Sequence, residues 1–444
     1  MHVHPRFVNL PFPTRSLVLA AVVSLSAACS GNGGSANPDP VFTPPQQASV
    51  SSPSVLFTQG DGVEVRNGGY GSAIANVPGK PDEIYMMTDR GPNIDNQAGT
   101  GKIFPIADFC PTIGHFKVSS TGLTKIRDIQ LKRPDGTLFT GLPNPAGMGA
   151  TGEVAEDLNG QALGTDPYGI DSEGLVALAD GTFWISDEYG PHIAHFAADG
   201  RELERINPFG SGTGGRSLPA VYATRRANRG MEGLTITNDG QWLVGIMQST
   251  MRNPDKASTQ DAGSAITRIL FYNIASAETR EYVYVQNEGG LSNSEILAIP
   301  GSDSQFLVIE RDGSYFADGA VYKCVYRIDV TGATDISDPA NGTNGRLYDG
   351  QTVEQLVDGA GLSSKGIVPV TKSLVINMLD YNSYPHDKLE GIAIFDANTL
   401  ICGNDDDFAV DDNGNGAMVQ KLLPATSQPD NNTLYYVDLA SPLY

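Results

Sequence analysis

Four times along the chain a glutamate opens a short apolar run, a turn follows, and a second apolar run leads to further residues, mostly charged. The four segments are SEGLVALADGTFWISDE (172–188), MEGLTITNDGQWLVGIM (231–247), SEILAIPGSDSQFLVIERD (294–312) and LEGIAIFDANTLICGNDDD (389–407). Apolar runs this short on either side of Asp, Asn and Gly turns read as paired strands rather than helices. The leading glutamates, Glu173, Glu232, Glu295 and Glu390, lie 59, 63 and 95 residues apart. Units of roughly forty to sixty residues built from short strands predict propeller blades, because a four-stranded sheet has two faces to bury and does so by stacking radially on its neighbours. A less regular unit, YGSAIANVPGKPDEIYMMTDRGPN (70–93), reads as another blade, and residues 103–140 as one more. The prediction is an all-β propeller of about six blades. Further β-rich runs such as RILFYNI (268–274), EYVYVQ (281–286) and SLVINML (373–379) fill the intervals, and no long stretch after the N-terminal region carries apolar residues at helical spacing. Segments 91–105, 140–170 and 207–230 read as insertions on the faces.

The turn of the first repeat sets its register. Asp180-Gly181 is a two-residue hairpin signal that pairs Ala179 with Thr182 and, stepping outward, Gly174 with Asp187 and Glu173 with Glu188. Carboxylates facing each other destabilise a strand pair unless a cation neutralises them. The fifteen-residue step from Glu173 to Glu188 also joins Glu295 to Glu310 and Glu390 to Asp405, but it takes Glu232 to Met247, so the ring is not fully symmetric.

Equivalent residues of successive blades circle the axis on one face. Glu173, Glu232, Glu295 and Glu390 are therefore expected to crowd one funnel, with Asp89 beside them and with Asp187, Glu188, Glu310, Asp312, Asp405 and Asp407 as ligands of a hard cation, calcium above all. For any single glutamate the competing reading is structural, a strand cap accepting from backbone amides. Arg90, Arg225, Arg226, Arg229, Arg311 and Lys388 border these segments and either bind phosphate oxygens or neutralise the acids. The catalytic candidates are Glu173, Glu232, Glu295, Glu390, Arg90 and Arg311. His192 is a further acid–base candidate whose plainer reading is a hydrogen-bonded loop residue.

Lys and Arg number 29 against 51 Asp and Glu, a formal charge of −22. That balance argues against nucleic acid as a partner and leaves an anionic small molecule needing a cation bridge. At the N-terminus, Arg6 and Arg15 precede the apolar run SLVLAAVVSL (16–25), which suits a secretory signal over 1–28. Cys29 in SAACS resembles the lipidated cysteine of a bacterial lipobox, although Ser26 stands where that pattern prefers Leu; ordinary cleavage near Ala28 is the alternative. Residues 29–54, rich in Gly, Pro and Ser, read as a tether to the cell envelope, with the folded domain over 55–444. An exported chain can bridge one pair among Cys110, Cys324 and Cys402, or bury all three as small apolar side chains. No zinc-spaced Cys/His cluster, GxSxG elbow, phosphate loop or HExxH occurs, and DDNGNG (411–416) reads as a turn.

The four repeats, in order, resemble the phytase-like domain family, also called the esterase-like activity of phytase family, over roughly residues 60–440. The resemblance implies a β-propeller, and phosphoester hydrolysis at repeated Glu and Asp positions. By the resemblance, Glu173, Asp187, Glu188, Glu232, Glu295, Glu310, Arg311, Asp312, Glu390, Asp405 and Asp407 occupy motif positions in this chain. The expected activity is that of an exported, monomeric, metal-dependent phosphoric ester hydrolase acting on a small molecule. The alternatives are a calcium-dependent lactonase or carboxylic esterase, and a non-catalytic propeller anchored at the envelope for binding.

Overall fold

Alternation along the strands decides the architecture. In Phe183–Asp187, Phe183 and Ile185 enter one buried apolar layer and Trp184 enters another, so both faces of this short strand are covered. The same holds for Trp242–Met247, where Leu243 and Met247 face one layer and Val244 and Ile246 the next. Sheets buried on both faces must be sandwiched between other sheets, and closing the stack on itself leaves no uncovered face.

The computed structural model describes residues 42–319, 321–381 and 384–444. Within them, five antiparallel four-stranded sheets form the blades. From the axis outward the first holds Ala73–Val77, Lys80–Met87, Thr112–Ser119 and Gly122–Gln130. The second holds Ser172–Ala177, Phe183–Asp187, His192–Phe196 and Glu202–Ile206. The third holds Met231–Ile236, Trp242–Met247, Ile266–Asn273 and Thr279–Val285. The fourth holds Ser292–Ala298, Gln305–Arg311, Lys323–Asp329 and Thr371–Asn377. The fifth holds Gly391–Asp396, Thr399–Gly403, Thr433–Asp438 and, from the other end of the chain, Gln47–Ser49. Innermost strands of successive blades pack side by side, the fifth against the first, which closes the ring. An apolar layer fills each of the five gaps between blades.

The propeller is as the repeats imply, with five such sheets rather than about six. Residues 103–140 do not make a blade of their own: Thr112–Ser119 and Gly122–Gln130 complete the sheet begun by the hairpin at 73–87, which alone would leave an uncovered edge. The folded domain also begins earlier than Val55, because Ala48 pairs with Leu434 and latches the last blade. The proposed signal peptide, Cys29 and the start of the tether lie outside the described residues. Cys110, Cys324 and Cys402 are buried and unbridged, and Cys402 packs in the layer between the fourth and fifth blades. Among the described residues no helix is long and apolar enough to cross a membrane.

The Glu-Gly pairs of the repeats have a packing reason. A Cβ on Gly174 would lie 2.4 Å from the Leu234 backbone nitrogen, and one on Gly233 would lie 2.4 Å from that of Ile296. Adjacent inner strands thus approach closely where the glutamates emerge. Gly174→Ala is expected to cost about 1–3 kcal/mol through overpacking, read as a lower urea midpoint with an unchanged slope.

Candidate functional site

The first hairpin turns through three residues, not two. Leu178 N–H donates to Thr182 O at 2.9 Å and Gly181 takes φ 86°, the left-handed position that such a loop needs. Pairing then runs one residue out of the expected register, Gly174 opposite Ser186, and Ser172 opposite Asp187, leaving Glu173 as the extra residue of a bulge. Glu232 is extra in the same way between Met231 and Gly233, and Ser294-Glu295 bulge between Asn293 and Ile296. A bulge re-aims a side chain, and in the second and third blades it turns a carboxylate toward the axis.

The residue that meets it comes just past or at the end of each second strand: Asp89, Glu188, Gln248, Arg311 and Asp405. All five line one axial cavity of about 390 Å³. The step from the leading glutamate is fifteen residues in the second and fifth blades and sixteen in the third and fourth, which a fixed step of fifteen misses. Met247 is therefore core, and the third blade supplies Gln248, whose amide donates to Glu188 Oε1 (2.9 Å) and Glu232 Oε1 (2.6 Å).

Of the expected residues, Glu173, Glu232, Glu390, Arg90, Arg311, Glu188, Asp405 and Asp407 line the cavity. Glu295 does not; its carboxylate caps the inner strands, accepting from Leu234 N–H (3.1 Å) and Ile296 N–H (2.9 Å). Asp187 accepts from the Asp171 and Gly190 amides (2.7 and 2.9 Å) and fixes the turn behind the site. Glu310 points between the third and fourth blades, bonded to Tyr284 Oη, Asn287 N–H and Lys372. Asp312 holds Lys323 and the Tyr322 amide. All four of these carboxylates are satisfied by the protein away from the funnel, which removes them as ligands of an axial ion. His192 is buried against Asn144 (3.2 Å), and burial together with Arg205 and Arg225 holds it well below its ordinary pKa. Asp171, Asn228, Arg229, Asp387 and Lys388 also line it, with Asp95 and Lys102 from the 91–105 insertion and Asp411 and Asp412 from the short strand Val410–Asp412.

The cavity gathers twelve carboxylates and five cationic side chains, an excess of seven negative charges before protonation. Arg311 bonds Glu390, approaches Glu232 at 3.8 Å and donates through Nε to Ser294 (2.9 Å). Arg90 sits 3.5 Å from both Asp171 and Glu153. Lys388 and Lys421 hold Asp407, and despite burial they keep its carboxyl below the usual range.

The other acids move upward. Burial raises Glu173 well above the usual carboxylate range, with repulsion from Glu232, Asp171 and Glu188 added, and Glu188 follows for the same reasons. Glu232 is pushed up to about 8 by burial and Glu390, against the pull of Arg311. Asp89 rises to about 7 through burial and Asp171, and Asp405 is raised by burial and Asp407. Asp171 Oδ2, Glu232 Oε2 and Glu390 Oε2 are buried with no hydrogen-bond partner. Carboxylate oxygens of Asp171, Glu173 and Glu188 all lie within 4.8 Å of one another, a separation that two calcium–oxygen distances of about 2.4 Å span. Hard oxygen donors, unpaired atoms and excess charge together fit a divalent cation.

The model of the phytase-like family, described as esterase-like activity of phytase, matches residues 66–408. The chain belongs to this family. The phytase-like chain is also 28% identical over 386 residues, 71% of each sequence, to an uncharacterized secreted protein of Arthroderma benhamiae. Among solved structures it aligns over 85% of its length, and 91% of the other chain, with a protein from Lactobacillus plantarum at 11% identity and TM-score 0.35. It covers 89% of itself and 100% of the PQQ-bound aldose sugar dehydrogenase of Streptomyces coelicolor, at 8% identity and TM-score 0.33. Scores this low bear on neither site nor chemistry.

Proposed function

We propose that this phytase-like propeller is an exported, cation-dependent phosphoric ester hydrolase that works as a monomer on a small molecule in the axial funnel. The observation that carries the reading is the pairing of a buried carboxylate trio, Asp171, Glu173 and Glu188, with arginines in a polar cavity of about 390 Å³. The trio would hold calcium, which when bound supplies a Lewis acid for phosphoryl oxygens. Arg311 and Arg229 bind those oxygens through charge-assisted hydrogen bonds. Glu232, with a pKa of about 8, carries a proton at neutral pH and lies beside Arg311, where it would deliver that proton to the alkoxide that leaves as water bonds to phosphorus, the proton given up by the water restoring Glu232. Gln248, bridging Glu188 and Glu232, holds the two acids in register.

Calcium titration of EDTA-treated protein, followed by a panel of phosphoesters, lactones and carboxylic esters on the same sample, tests the reading. Phosphate release that requires the ion supports it, whereas folded, calcium-loaded protein that cleaves only lactones or carboxylic esters, or nothing, overturns it. Glu173→Gln is expected to weaken calcium binding about tenfold or more, while Glu295→Gln leaves calcium affinity within twofold and lowers the melting temperature instead. Equal losses of calcium affinity in both variants would sink the assignment of the ligands. Export rests on the N-terminal signal and on the secreted relative; cell fractionation with the mass of the mature N-terminus checks it, together with lipidation of Cys29.

A further inference from the structure

Beside the funnel lies a cluster of the opposite charge. In RRANR (225–229), Arg229 N–H donates to Arg226 O (3.2 Å) and the two residues form an antiparallel bridge, so their side chains leave the turn together. Asn228 closes the turn at φ 53° and accepts from Arg90 Nη1 at 2.7 Å, which ties the turn to the acidic wall. Arg252 is anchored alongside by its own amide, which donates to Thr224 O (2.9 Å). Arg225 serves as a brace, its guanidinium donating to the carbonyls of Tyr189, Gly149 and Ala150 at 2.7–3.0 Å.

The other three are not consumed by the fold. Each guanidinium makes one side-chain hydrogen bond, Arg226 to Ser249 (3.4 Å), Arg229 to Ser292 (2.9 Å) and Arg252 to Gln260 (3.1 Å). A guanidinium has five N–H donors, so most remain free. Arg226 Nε is buried with no partner, and a buried unsatisfied donor calls for an ion or water that completes it. None of the three forms an ion pair among the described residues, although the chain carries 51 acidic side chains. Arg226 instead has like charges for neighbours: burial, then Arg229 and Arg252, lower it to about 10. Three half-buried guanidinium groups with free forks match a tetrahedral oxyanion, which each can grip with two parallel bonds.

We propose that Arg226, Arg229 and Arg252 form an oxyanion subsite on the rim of the funnel, taking a phosphate-type dianion without help from any cation held by the carboxylates. The subsite stands whether or not the funnel hydrolyses an ester. It gives an acidic protein a metal-independent handle for a phosphate group just outside the carboxylate cavity, with Arg229 shared by both.

Calorimetric titration of EDTA-treated mature protein with inorganic phosphate at low salt is the test. Saturable one-site binding is expected, about tenfold weaker in Arg226→Gln and in Arg252→Gln, and lost in the double variant. Arg346→Gln, which removes an exposed arginine outside the cluster, is expected to bind within twofold of the parent. Melting curves establish that the variants are folded. Where a glutamine variant unfolds, Arg252→Lys replaces it, keeping the charge, losing the fork and still weakening phosphate severalfold. Absence of saturable binding, unchanged affinity in the double variant, or an equal loss in Arg346→Gln would overturn the subsite.

Discussion

Replacing Arg311 by methionine is expected to destabilise the ion-free protein by roughly 3–5 kcal/mol and to abolish turnover. The Arg311 side chain is 11% exposed and stands between Glu390 and Glu232, themselves 6% and 4% exposed. Its removal leaves the buried Glu390 carboxylate with no counter-charge, beside a Glu232 that then holds its proton more tightly, and the low dielectric that strengthens the pair makes its loss expensive. Glu390→Gln in the same background removes that unpaired charge and should return a good part of the lost stability, a coupling that a double-mutant cycle in urea measures. Arg311→Lys separates structure from catalysis: the charge stays, the planar fork goes, and turnover is expected to fall about 10²–10³-fold at nearly native stability. If Arg311→Met melts within about 1 kcal/mol of the parent protein, water already screens this sector, and the charge network around the fourth and fifth blades does not hold it together.

The repeats made the propeller and most of the first ring of its site legible, because the start of each inner strand leaves a local mark, a glutamate followed by glycine in three of four units, although Glu295 of that ring caps strands instead. What they hid depends on distances that the chain does not write locally. A longer turn in the third blade and a wider bulge in the fourth shifted the second ring by one residue, so Met247 and Glu310 stood where Gln248 and Arg311 line the cavity. Whether a buried carboxylate faces the funnel or a neighbouring amide depends on the next blade: Glu295 and Glu232 begin similar segments, yet the Leu234 amide of the adjacent strand takes the first. The blade count failed for a similar reason, since the strands at 112–130 look autonomous until the hairpin at 73–87 is seen to lack its outer half. Asp95, Lys102, Asp411 and Asp412 reach the cavity from segments with no repeat signature at all.

Stability without the ion should fall as pH rises from about 5 to 8, the reverse of a protein held by salt-bridged acids. Glu173, Glu188 and Asp405 lie well above their ordinary values, with Asp89 near 7 and Glu232 near 8, in each case through burial first and neighbouring carboxylates next. In that window the native state binds more protons than the unfolded chain. Their contribution is thus complete below the ordinary carboxylate range near pH 4 and disappears as each group ionises inside the fold. Asp407 has the opposite sign, but with its carboxyl held low it loses its contribution only on further acidification, outside this range. A divalent cation changes the outcome, because it takes the place of the protons: its affinity should climb with pH, and binding should release protons to the buffer. With calcium at a hundredfold excess over Kd, about 2.7 kcal/mol of stability returns, so the melting temperature becomes nearly flat where it had sloped downward. Thermal melts at pH 5, 6.5 and 8, each in EDTA and in calcium, resolve the two curves. A melting temperature that rises with pH in EDTA and ignores calcium would mean that arginine and lysine alone neutralise the ring, and the cation-dependent reading of the funnel would fall with it.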